Sequence, residues 1–124
     1  MTRVDQSKNK SLYSDTLNML SELIVSGLRN YFPGLNIFLE SLCEARYGYS
    51  LKDLITRDIG EFCRLLDNHF SSRETTFRIL RLILKPVLRG SEGEEALDEL
   101  LRGNPDPLLR HVDEILKKKE REIT

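Results

Sequence analysis

An all-α fold, a compact single domain of five or six helices in an antiparallel or orthogonal bundle, is predicted by three features of the sequence. Leucine outnumbers every other apolar residue in a chain of 124 with no tryptophan and only 7% aromatic residues, and leucine keeps its rotamer freedom in a helix where β-branched residues do not. Apolar residues recur at three- and four-residue steps along most of the chain, the period of a helix with one buried face. No alternating run of the length a strand needs stands out, so no sheet is assigned. Connections are short, which favours antiparallel neighbours.

Residues 1–12 are polar and bury too little apolar area to offset the entropy of ordering them, so a flexible arm is expected before a domain covering residues 13–124. From Ser14, Leu17, Leu20, Ile24, Leu28 and Tyr31 trace the first helical face, with Ser14 and Asp15 as caps. Pro33-Gly34 is expected to end it. A second helix over residues 35–46 would bury Ile37, Phe38, Leu42 and Ala45, with Gly48 as a left-handed C-cap. Ser50-Leu-Lys-Asp53 reads as a cap and a short helical turn ending near Ile55. From Asp58, the set Phe62, Leu65, Leu66, His69 and Phe70 forms a further amphipathic face.

Ser71-x-x-Glu74 has the spacing of a capping box and is expected to open the longest helix, residues 72–89, in which Pro86 should kink or end the last turn. Gly90-Ser-Glu-Gly93 reads as a turn, residues 94–102 as a helix stopped by Gly103, and Asp106-Pro107 as the start of the last helix. Leu108, Leu109, Val112, Ile115 and Leu116 supply its buried face, and residues 117–122 are charged all round and expected to project or fray.

The 19 basic and 20 acidic residues leave a net charge of −1, so no global field drives the chain onto nucleic acid or anionic lipid. The polar start and the absence of a long apolar run give neither a secretory leader nor a membrane span, and a cytoplasmic protein is expected. Cys43 and Cys63 lack metal or disulfide spacing and read as small buried hydrophobes. His69 reads as a boundary residue of its helix and His111 as an ion-pair partner of Asp113 or Glu114. No nucleophile–base pair, carboxylate pair or ligand cluster emerges, so neither catalysis nor a cofactor nor a metal is expected.

The pointed feature is basic. On one continuous helix Arg78, Arg81, Lys85 and Arg89 fall within an arc of about 80°, backed by Phe77, Leu80, Ile83, Leu84, Val87 and Leu88. Such a stripe suits an acidic protein segment or, less favoured, a phosphate backbone, and Lys117, Lys118 and Lys119 form a second candidate. The acidic block that follows, Glu92, Glu94, Glu95, Asp98, Glu99 and Asp106, is expected to fold back and neutralise part of the stripe. Phe38, Phe62, Phe70, Phe77, Tyr31, Tyr47 and Tyr49 could line an apolar ligand pocket.

Tyr47-Gly-Tyr-Ser-Leu-Lys-Asp-Leu-Ile55, Phe62-Cys-Arg-Leu-Leu-Asp-Asn-His-Phe70 and the Ile/Leu-rich helix after them resemble the archaeal Nitrosopumilus output domain family over residues 35–88. The resemblance implies an all-helical accessory module of regulatory proteins, with no catalytic residue to carry over. By elimination the expected function is a non-catalytic regulatory or protein-interaction module, using Arg78, Arg81, Lys85 and Arg89 toward a protein partner or a second copy. A nucleic-acid-binding domain and a hydrophobic-ligand carrier are the alternatives.

Overall fold

The computed structural model describes residues 13–123 and the side chains of residues 13–118, and side-chain caps start three of its helices. The expected N-terminal arm and the side chain of Lys119 lie outside the described residues. Helix α1 spans Ser14–Tyr31 and α2 spans Pro33–Tyr47, with Phe32 alone between them. Tyr13, not Ser14 or Asp15, holds the α1 N-cap and makes no side-chain cap bond. Pro33 opens α2 where it was expected to close α1, because a proline in the first helical turn forfeits no backbone hydrogen bond. At the other end Gly48 takes φ 78° and donates its N–H to the carbonyls of Cys43 and Glu44, the left-handed cap expected there.

Three helices then begin with the same device, a side-chain oxygen accepting a backbone N–H three residues on. Ser50 accepts from Asp53 at 3.1 Å to start α3 (Leu51–Arg57), and Asp58 accepts from Glu61 at 3.0 Å to start α4 (Ile59–Phe70). Ser72 accepts from Thr75 at 3.1 Å to start α5 (Arg73–Leu84). The cap is thus one residue later than the Ser71-x-x-Glu74 pattern places it. Ser71 is used to terminate α4 in a left-handed conformation, φ 53°, so the neighbouring serine must cap.

Pro86 acts as expected but earlier. Helix α5 stops at Leu84 and Lys85–Val87 form a 3-10 turn, so no continuous helix reaches Arg89. Residues 90–93 are not a turn: α6 spans Gly90–Leu101, opened by Gly90 at φ 63°. The final helix, α7, spans Asp106–Ile123. The described residues therefore hold seven α-helices and no strand, against the expected five or six.

Helix α1 packs on α2, α3, α5 and α7, while α4 bridges α3, α5 and α6 and α7 closes against α6. Their shared core is leucine-rich, with Leu20, Leu28, Leu39, Leu51, Leu54, Leu66, Leu84 and Leu97 all shielded and Phe62 its one fully buried aromatic. The expected face of α2 is corrected here: Ile37 is 67% and Phe38 46% exposed, and Asn36, Leu39 and Cys43 turn inward.

Close approach of α1 to α5 depends on Gly27, where a Cβ would sit 2.6 Å from Ile83 Cγ2 and 3.2 Å from its Cβ. Gly27→Ala should therefore lower stability by about 1–3 kcal/mol despite the better helix propensity of alanine. Gly34→Ala, at an open helical position, should raise it by about 0.5–1 kcal/mol. Chemical denaturation of the two variants in parallel checks both signs.

Candidate functional site

The break at Pro86 decides the shape of the basic surface. Had α5 run on, Arg78, Arg81, Lys85 and Arg89 would form a flat stripe; instead the chain turns at Leu88–Gly90 and α6 rises as a second wall. Between the walls lies a groove of about 590 Å³ lined by Arg78, Arg81, Lys85, Leu82, Leu88 and Glu94, with Gly90 and Ser91 at its α6 end. Leu82 is 46% exposed there.

Three of the four predicted basic residues line this groove, and their charges are held differently. Arg78 reaches back along its own helix to Glu74 at 2.7 Å, both groups three-quarters exposed, so the pair is screened and easily exchanged. Arg81 crosses to α6 and meets Glu94 at 2.7 Å. Lys85 makes no ion pair among the described residues. Arg89 departs from the prediction: it is the N-cap residue of α6, it does not line the groove, and its backbone N–H donates to Nε2 of His111 on α7 at 3.0 Å.

Neutralisation by the acidic block is limited to the Arg81–Glu94 contact. Asp98 pairs with Arg102 at 3.1 Å, and Glu92, Glu95 and Glu99 face the opposite side of α6. There they share a shallow cavity of about 290 Å³ with Arg110, His111 and Glu114 of α7. Helix α6 thus separates a cationic groove from an acidic one. The second basic candidate is partly tied as well, since Lys117 pairs with Asp113 at 3.1 Å within α7.

His111, expected to pair with an adjacent carboxylate, instead accepts a backbone hydrogen bond from a residue 22 positions away. Gly93 makes room for it: a Cβ there would lie 3.1 Å from His111 Nε2 and from Leu88 Cα. Nothing local in the sequence marks this contact. His69 is exposed, its ring 5.0 Å from that of Phe38 and 4.8 Å from that of Phe70.

Phe62 is core, Tyr31 and Phe38 are exposed, and none of the expected aromatics lines the two grooves or the two smaller cavities beside α4. Cys43 and Cys63 are free and buried, and burial, reinforced by the charge of Asp67, pushes the Cys63 thiol up to about 12. A thiol so placed is a poor nucleophile near neutral pH. Among the described residues no group of three or more His, Cys, Asp or Glu side chains is placed to hold a metal ion, and no helix is long and apolar enough to cross a membrane.

Fold and surface together define a small all-helical domain that carries, among the described residues, a cation-rimmed groove containing Leu82 and Leu88. No family model matches the chain, and no curated protein and no solved structure matches it.

Proposed function

We propose that this chain is a non-catalytic interaction module whose α5–α6 groove receives an acidic, amphipathic segment of a protein partner. One observation carries the reading: Leu82, exposed, and Leu88, half-buried, line the same groove as Arg78 and Lys85, the latter unpaired among the described residues, so apolar anchorage and positive charge are offered in the same place. Helix-in-groove recognition uses that combination, apolar side chains at helical spacing for affinity and flanking charges for orientation and encounter rate. The resemblance of residues 35–88 to a regulatory output domain points to the same class of role and stands as a proposal with it.

A phosphate backbone is a poorer fit. It needs a row of free cations, and here Arg81 is tied to Glu94 while Arg89 lies outside the groove. The leucine floor would gain nothing from a polyanion.

The test is selection of a phage-displayed library of helix-forming peptides on the whole protein, followed by titration of the enriched peptides and of duplex DNA and single-stranded RNA at about 50 and 200 mM salt. Enrichment of sequences with apolar residues at i, i+3 or i+4 flanked by Asp or Glu, weakened by Leu82→Asp, is the expected result. Peptides that bind Leu82→Asp as well as the parent would overturn the groove as the site, and nucleic-acid binding that collapses with salt would replace the reading.

A further inference from the structure

We propose that His111 is a proton-operated positioning residue for the groove: neutral, it pins the Leu88–Gly90 junction through the Arg89 N–H, and protonated, it lets that junction go. The consequence for binding rests on the groove being the interaction surface; the structural step does not.

The bond from Arg89 N–H to His111 Nε2 exists only while that nitrogen carries no proton, since an imidazolium has two donors and no acceptor. In the neutral ring the single proton must therefore sit on Nδ1. Imidazole is the side chain whose ordinary titration falls in the physiological range. Protonation places an N–H against an N–H at 3.0 Å, and the ring and the Arg89 amide must separate.

The ring has somewhere to go. Glu92, Glu95 and Glu99 of α6 and Glu114 of its own helix share the cavity that His111 lines, with Arg110 as the one opposing cation. These carboxylates are natural acceptors for an imidazolium, so the charged ring exchanges a backbone donor for carboxylates of the cavity it already lines.

Release at Arg89 matters for the opposite groove because Arg89 sits between two residues that line it, Leu88 and Gly90. Arg89 is also the N-cap of α6 and contributes no side-chain cap bond, so no capping side chain holds that helix start when the His111 bond is lost. Gly93 packs its backbone directly against the ring and against Leu88, so motion of the imidazole is felt at the groove floor. Acidification should loosen Leu88 and Gly90 and weaken any occupant of the groove.

The experiment is NMR on the full chain from about pH 7.5 to about pH 5.5. It follows the His111 ring nitrogens, hydrogen-exchange protection of the Arg89 amide corrected for intrinsic exchange, and the affinity of one selected acidic peptide. Expected are an Nδ1-protonated neutral tautomer, an Arg89 protection that falls about tenfold once Nε2 carries a proton, and a parallel fall in peptide affinity. His111→Gln keeps a neutral acceptor and should flatten both profiles, His111→Phe should give low Arg89 protection at every pH, and His69→Gln should behave like the parent.

Arg89 protection that stays level through the His111 titration, or falls equally in His111→Gln, would overturn the proposal. Protection that titrates while peptide affinity does not would overturn the coupling and leave the groove as a binding surface. If no peptide bound at any pH, the functional reading would fall while the Arg89 profile still decided the switch.

Discussion

Replacing Phe62 by alanine should destabilise the fold by about 3–5 kcal/mol, a large share of the roughly 5–15 kcal/mol that holds a domain together. Phe62 lies on the inner face of α4, fully shielded, where that helix meets α3, α5 and α6. Its removal costs the transfer free energy of the ring and leaves a void that the surrounding helices can only partly relax to fill. Because α4 supports one wall of the groove through α5 and the other through α6, the variant should also lose peptide binding in proportion to its unfolded fraction. Phe38→Ala is the matched control: that ring is 46% exposed and rests on His69, and its loss should cost less than about 1 kcal/mol. Urea denaturation midpoints for the two variants check the contrast, and comparable losses would mean that α2 is packed more tightly than its exposed face indicates.

That contrast also marks where the sequence was legible. Helix α4 was readable because its apolar residues occupy one arc only, so the buried face of Phe62, Leu65 and Leu66 had no competitor. In α2, apolar residues lie on both sides. Ile37, Phe38 and Ala45 form as good a helical face as Leu39 and Cys43, and only the positions of α1 and α3 decide that the second set is buried. The α4–α5 junction was misplaced by one residue for a related reason: two adjacent serines both suit a cap, and only the need for a left-handed residue at Ser71 separates their roles.

The site was half legible. Periodicity places Arg78, Arg81 and Lys85 on one face, but an arc that includes Arg89 holds only for a helix that runs straight through Pro86. Ending α5 at Leu84 is what converts a stripe into a groove and removes Arg89 from it. In sequence the acidic residues form one block, whereas 100° per residue along α6 sends Glu94 toward the groove and Glu92, Glu95 and Glu99 away from it. The His111–Arg89 bond has no local signal at all, since it depends on how α7 is laid against α6.

Reversing two charges in the groove, Arg78→Glu with Lys85→Glu, should weaken an acidic peptide about 100-fold at low salt while leaving the fold intact. The fold is spared because Lys85 makes no ion pair among the described residues and Arg78 makes only an exposed one with Glu74. Most of the loss should appear in the association rate and shrink between about 50 and 500 mM salt, as the screening length falls below the separation of the charges. Leu82→Ala should behave in the opposite way, with a loss carried by faster dissociation and nearly independent of salt, because it removes buried apolar area. Arg81 is already spent on Glu94, at 2.7 Å, so Arg81→Gln should cost little beyond its own charge. Glu94→Gln should tighten the peptide several-fold by releasing Arg81 and removing the one carboxylate that lines the groove. Stopped-flow kinetics on these four proteins separates the electrostatic from the apolar contribution. A salt-insensitive loss in the double reversal would place the peptide elsewhere on the surface.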